Sequence, residues 1–138
     1  MATSAYQNAI RPACKPLQGP LEGDFLTAVG WGKQTKYGQV SRVLKKVSIR
    51  VKDQLKCKEA YGQRGVTIRD KMFCASEDGK DTCTGDSGGP LLKYEYGKVT
   101  IVGITSFGIG CAHPLYPGVY TNVAKYMDWI NQYVETCN

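Results

Sequence analysis

The 138-residue chain is 42% apolar and 22% charged, enough for one globular domain with its own core, which excludes extensive disorder. No apolar run reaches the ~20 residues that a membrane-spanning helix needs, so a transmembrane reading is excluded. The net charge of +6 is local: residues 33–58 hold nine of the 18 Lys and Arg side chains and one acid, Asp53, so that stretch is +8 and the remainder −2.

Residues 1–24 contain three of the six prolines and no periodicity, and read as an extended linker. The first eight residues have neither the basic start nor the apolar segment of an export signal, so the expectation is that an upstream part belongs with this chain. Phe25 to Trp31 is a short apolar run closed by Gly30-Trp31-Gly32, as expected of a buried strand entering a turn. The basic stretch that follows admits two readings. It is either an attachment strip for a polyanion or a solvated edge strand kept soluble by lysines, and no nucleic-acid-binding signature accompanies it.

Val47, Ile49 and Val51 alternate with Ser48, Arg50 and Lys52, the period of a strand with one wet face. Gln54 to Tyr61 fits one or two helical turns. Met72 to Ala75, Pro90 to Tyr94, Lys98 to Phe107 and Val119 to Asn122 read as further strands between glycine-bearing turns. Short strands at this spacing, with 16 glycines and nine tyrosines, point to an all-β fold, a small antiparallel barrel or sandwich spanning 25–122. Val123, Met127, Ile130 and Val134 then recur at helical spacing, so residues 123–138 are expected to form an amphipathic helix of about three turns packed on the barrel.

Six cysteines, at 14, 57, 74, 83, 111 and 137, suit a disulfide framework and an extracellular compartment. A metal site is not expected, because there is no Cys-x-x-Cys and only one histidine, His113. No cofactor is implied either.

Residues 81–90 read Asp-Thr-Cys-Thr-Gly-Asp-Ser-Gly-Gly-Pro. Small residues around one serine, with a carboxylate before it and a cysteine four residues upstream, describe a cross-linked turn presenting a hydroxyl. Glycines at 85, 88 and 89 permit backbone angles and approaches that side chains would block. Successive N–H groups of such a turn can converge on one point and stabilise the oxyanion formed when a nucleophile attacks a carbonyl.

Gly85-Asp86-Ser87-Gly88-Gly89-Pro90 resembles the active-site signature of chymotrypsin- and trypsin-like serine endopeptidases, the family whose triad serves as the general template for such catalysis. Ala28-Val29-Gly30-Trp31-Gly32, Met72-Phe73-Cys74-Ala75, Thr105-Ser106-Phe107-Gly108, Pro117-Gly118-Val119-Tyr120-Thr121 and the Trp129-Ile130 helix follow in the family's order. The resemblance implies the C-terminal six-stranded barrel of a two-barrel fold, with the N-terminal barrel absent from this sequence. It implies Ser87 as nucleophile and the Gly85 and Ser87 N–H groups as the oxyanion hole. Asp81 matches the acid at the base of the specificity pocket, and Gly108 and Gly118 its small wall positions, so the implied substrates are proteins or peptides with Arg or Lys before the scissile bond. Ser106, Phe107 and Gly108 match the segment that pairs with the substrate backbone, with Phe107 where tryptophan is usual, a variant that fits a clip-type arthropod protease. Asp86 matches the acid that pairs with the new N-terminus created by activation. Family pairing implies the disulfides Cys57–Cys74 and Cys83–Cys111, and leaves Cys14, which often joins an upstream propeptide, and Cys137.

The same template needs a histidine base and an orienting aspartate, which in the family come from the first barrel. His113 follows Cys111 in a loop and is expected to be structural; the chain alone is expected to be inactive, with the missing barrel or propeptide as partner. Two other readings stay open: a non-catalytic binding or regulatory module built on a protease barrel, and a structural disulfide scaffold.

Overall fold

The alternation in residues 45–51 translates directly into three dimensions: Ile49 and Val51 are buried while Lys46, Ser48 and Arg50 face solvent. The computed structural model describes residues 10–134. Its strands are β1 (Phe25–Gly30), β2 (Lys45–Val51), β3 (Met72–Ser76), β4 (Pro90–Glu95), β5 (Lys98–Phe107) and β6 (Gly118–Asn122), with helix α1 (Gln54–Gly62) between β2 and β3. They close into an antiparallel barrel in the order β1-β2-β3-β6-β5-β4. Closure leaves no edge strand in that sheet. β2 pairs with β1 (Ala28 opposite Val47) and with β3 (Val51 opposite Ala75), so its lysines do not guard an edge, and the edge-strand reading of the basic stretch is corrected.

Two packed clusters hold this barrel. Leu26, Ala28, Ile49, Val51, Phe73, Ala75, Leu91, Val102 and Tyr120 fill its interior. Gly103 sits among them because an added Cβ would come within 2.8 Å of the Phe73 ring and 3.1 Å of Leu91 Cβ. Outside the barrel wall, Tyr61, Ile68, Tyr116 and Val119 pack around the Cys57–Cys74 disulfide and fasten α1 to β3. Asp53 starts α1 by accepting hydrogen bonds from the Leu55 and Lys56 N–H groups, using donors that a first helical turn otherwise leaves unbonded.

The described part of the N-terminal segment holds no helix or strand and turns at 22–23 before β1. Cys14 lies in a parallel bridge with Thr100, its N–H donating to Val99 O and its carbonyl accepting from Ile101 N–H. Residues 1–9 fall outside the described residues. Asp24 anchors the entry to β1 by accepting from Lys93 Nζ at 2.7 Å and from Leu21 N–H at 3.0 Å.

The chain's end departs from the expected three-turn helix. β6 passes into a 3-10 turn (Val123–Tyr126) and then α2 (Met127–Ile130), with looser turns carrying on to Val134. Along the apolar stripe Val123 is buried, Met127 and Ile130 are half-buried and Val134 is exposed, so its burial fades toward the chain's end. Helical spacing fixes which residues share a face; it does not supply the surface they pack on. The last four positions, Cys137 among them, lie outside the described residues. Lys15 Nζ ties the two ends together, donating to Asn131 Oδ1 at 2.8 Å and to Val134 O at 2.7 Å.

Candidate active site

The loop joining β3 to β4 carries the serine turn at one end of the barrel. The Cys83–Cys111 disulfide clamps it to the β5–β6 loop. Within the turn the Asp86 N–H donates to Cys83 O at 3.0 Å and the Gly89 N–H to Asp86 O at 2.9 Å. β5 closes the other side: Gly88 N–H donates to Thr105 O at 2.8 Å, and Thr105 N–H to Gly89 O at 2.9 Å. Gly85 and Gly88 have φ of +100° and +81°, backbone angles that side-chain-bearing residues rarely adopt. The result presents Ser87 exposed at the tip. Among the described residues no hydrogen bond takes up the Gly85 or Ser87 N–H, while those of Asp86, Gly88 and Gly89 are committed to the turn.

Asp86 points inward from this turn. Its Oδ1 accepts from Gly32 N–H at 2.8 Å and its Oδ2 from Cys83 N–H at 3.0 Å. A Cβ at Gly30 or Gly32 would overlap the carboxylate, which is why both residues flanking Trp31 are glycine. That pattern was visible in the sequence; the carboxylate that requires it was not.

Asp81 is held differently. Oδ1 accepts from Thr82 N–H at 2.8 Å and from the Tyr120 hydroxyl at 3.3 Å, and Oδ2 accepts from Ala112 N–H at 3.2 Å. All three donors are neutral, and no ion pair among the described residues involves Asp81. Burial dominates and pushes its pKa from 3.8 up to about 6, against the lowering effect of the Ala112 and Thr82 amides. Desolvation, and then the neighbouring Asp81, push the Tyr120 hydroxyl upward as well, keeping it a donor. Tyr120 also shares a 2.8 Å hydrogen bond with Thr82 Oγ1. Sequence reading missed Tyr120, Thr82 and Ala112 as partners, because their positions in the chain carry no mark of a shared carboxylate.

Gly118 abuts this group: an added Cβ would lie 2.6 Å from Asp81 Oδ1 and 2.9 Å from the Tyr120 hydroxyl. Gly108 faces it, with its own added Cβ 3.8 Å from Gly118 Cα. Ser106, Phe107 and Gly108 are exposed at the end of β5, where the register with β6 shifts between Thr105 and Phe107. Phe107 stands edge-on to Tyr61 at 6.0 Å. A cavity of about 220 Å³ runs between Asp81 and Asp86 along Gly30, Gly32, Cys83 and Ala112. It reaches Asp81 from the Asp86 side; Ser87, Gly108 and Gly118 are not part of its lining.

His113 serves its own loop. Its Nδ1 accepts from Leu115 N–H at 3.1 Å and its ring lies 4.8 Å from that of Tyr116. The structure does not bring it to Ser87. No group of three or more His, Cys, Asp or Glu residues suited to a metal ion occurs among the described residues.

The family profile described as Trypsin matches residues 2–130. The chain belongs to the trypsin family. It is 41% identical over 127 residues to Trypsin-1 of Astacus astacus, covering 91% of this chain and 53% of that protein. It is 45% identical over 132 residues to Trypsin eta of Drosophila erecta, covering 94% and 48%. Phenoloxidase-activating factor 1 of Holotrichia diomphalia matches at 41% over 129 residues, 91% of this chain and 35% of the relative. Among solved structures, neuropsin, a serine protease expressed in the limbic system of mouse brain, superposes with a TM-score of 0.79 at 32% identity, covering 91% of this chain and 55% of that one. This trypsin-family chain thus spans about half the length, or less, of the relatives it matches. No helix among its described residues is long and apolar enough to cross a membrane.

Proposed function

We propose that this chain supplies the nucleophile and specificity half of a secreted serine endopeptidase that cleaves after Arg or Lys. The observation that carries the reading is the pairing of an exposed Ser87, beside two uncommitted N–H groups, with a half-buried Asp81 that has no cation among the described residues. Ser87 Oγ attacks the substrate carbonyl while a base takes its proton. The carbonyl oxygen becomes an oxyanion held by the Gly85 and Ser87 N–H groups. Collapse expels the amine, which receives that proton, and leaves an acyl-enzyme on Ser87 that water hydrolyses. Asp81 selects a guanidinium or ammonium before the scissile bond, since a buried carboxylate is costly until a cation pairs with it. Gly108 and Gly118 leave room for that long side chain, and Ser106 to Gly108 pair with the substrate backbone. Asp86 fixes the turn and, following the family resemblance, is the acid that an activating N-terminus would meet.

In this reading the base and its orienting acid lie outside this sequence, because His113 is engaged with Leu115 and Tyr116. The two disulfides formed here fit an oxidising, extracellular setting. Hydrolysis of an Arg ester reporter tests the proposal. The 138-residue chain alone is expected to show no turnover. Joined to a trypsin-type first barrel, it is expected to cleave Arg far faster than Leu reporters and to lose that activity on Ser87→Ala. Equal cleavage after Leu would remove Asp81 from its role. The engagement of His113 equally favours a non-catalytic binding module, which would form no acyl-enzyme in either setting.

A further inference from the structure

The fold gathers lysines that the sequence spreads over almost fifty positions. Lys33 leaves β1, Lys45 and Lys46 open β2, and Lys80 sits in the β3–β4 loop, yet all four border the single cavity between Asp81 and Asp86. None of them takes part in an ion pair among the described residues. Lys52 at the far end of β2 is likewise without one. The cations elsewhere on this face are already engaged: Arg50 meets Glu77 at 3.3 Å and lies over the Phe25 ring at 4.6 Å.

The opposing charges are fewer, and the fold holds each of them in place. The Asp81 and Asp86 carboxylates turn inward to the amides of Thr82, Ala112, Gly32 and Cys83, and Glu77 is bound to Arg50. Asp78, two residues before Lys80, is exposed. Four lysines against the Asp81 and Asp86 carboxylates leave the lining of this cavity net positive, and lysines brought together at this density repel one another until an anion joins them.

We infer that this lysine rim, formed by Lys33, Lys45, Lys46 and Lys80 and continued along the outer face of β2 to Lys52, is a binding site for a linear sulfated polysaccharide. Its shape favours that ligand over other polyanions. Beyond Lys46 the outward side chains of β2 are Ser48 and Arg50, and half-buried Lys52 follows the strand's end about 20 Å from Lys46 at ~3.3 Å per residue, a span that suits an extended charged polymer. Single-stranded nucleic acid gains much of its affinity by stacking bases on aromatic faces. Of the exposed rings in or beside the basic stretch, Phe25 and Tyr37 already carry a cation, Arg50 at 4.6 Å and Lys36 at 5.3 Å, which leaves Trp31 as a single open ring rather than a series on which successive bases could stack. The site also adjoins the serine turn, since Lys33 N–H donates to Thr84 O at 2.9 Å and Gly32 N–H to Asp86. A bound chain thus lies against the segment that positions Ser87.

Neither the site nor its test depends on Ser87 acting as a nucleophile, so failure of one reading leaves the other standing. The experiment is elution of the full chain from immobilised heparin in a sodium chloride gradient. Wild type is expected to be retained at about 0.1 M salt and to be released as salt screens the contacts. The variant with Lys33, Lys45, Lys46 and Lys80 all changed to Gln is expected to pass through or elute much earlier. A charge-matched variant with Arg11, Arg69, Lys98 and Lys125 changed to Gln, all exposed and away from the rim, is expected to elute close to wild type. Soluble heparin should displace the protein, whereas desulfated heparin, polyglutamate and an oligothymidine should each need at least about tenfold more material, because their charge is sparser or differently spaced. Flow-through of wild type, retention indifferent to salt, equal loss in the control variant, or equal displacement by polyglutamate or oligothymidine would each overturn the proposal.

Discussion

The barrel interior and the loop face at its end are built on opposite terms. Inside, nine buried residues from strands β1 to β6 exclude water, and apart from the Tyr120 hydroxyl they bring no polar group with them. At the loop face, within a few residues of Ser87, two carboxylates are drawn inward and held by amides, with glycines making room for both. The contrast separates two kinds of energy. The barrel supplies stability by apolar burial, and the loop face holds charge that is costly to desolvate until a ligand arrives.

Substitutions should divide along the same line. The largest loss of stability is expected in the barrel: Ile49→Ala or Leu91→Ala, both fully buried, should cost about 2–5 kcal/mol in urea unfolding. A loss under about 1 kcal/mol would mean the interior is far less tightly packed than described. Asp81→Asn should do the reverse, leaving stability near neutral pH unchanged or higher while weakening benzamidine binding at least about tenfold, as expected for loss of a charge-assisted hydrogen bond. Equal benzamidine affinity in the two proteins would show that Asp81 does not receive the cation.

The pH dependence follows from the same carboxylate. Its pKa is raised from 3.8 to about 6 in the folded chain, so the fold binds the proton more tightly than the unfolded state does. The stability that this proton contributes is complete below about pH 4 and is lost as pH rises through about 6, on the order of 2–3 kcal/mol. Unfolding of wild type and Asp81→Asn at about pH 4.5 and about pH 7 reads this directly: wild type should fall relative to the variant as pH rises. Benzamidine affinity should move oppositely, declining below about pH 6 as Asp81 protonates. The smallest effect belongs to neither region. Asp53→Ala at the start of α1 should cost about 1 kcal/mol, measurable as a small shift in the denaturation midpoint, without altering ligand binding.

Most of the barrel was legible because its signals are local. Alternation marked β2, and Lys98 to Phe107 was bounded at the residues that β5 occupies. The helix at the chain's end was less legible, since a periodic stripe marks a face without fixing how far a regular helix runs, and burial fades from Val123 through half-buried Met127 and Ile130 to exposed Val134. In the site, the serine turn could be read from glycine spacing, but the partners of Asp81 could not. Tyr120 is 39 residues from it and Ala112 31; the pairing of β6 in the barrel brings in the first and the Cys83–Cys111 clamp between loops the second.

The sequence by itself determined the strands, the two disulfide pairings through family resemblance, and the turn that exposes Ser87, because each depends on neighbours in the chain or on a motif. The tertiary structure decided what surrounds the charges. It closed β2 between two partners, so that its lysines became a track rather than an edge guard, and it joined Lys33 and Lys80 to Lys45 and Lys46 around one cavity. It also set Asp81, half-buried, among neutral donors. Desolvation and Coulomb interactions depend on distance through space, and a closed barrel makes neighbours of residues the chain holds far apart.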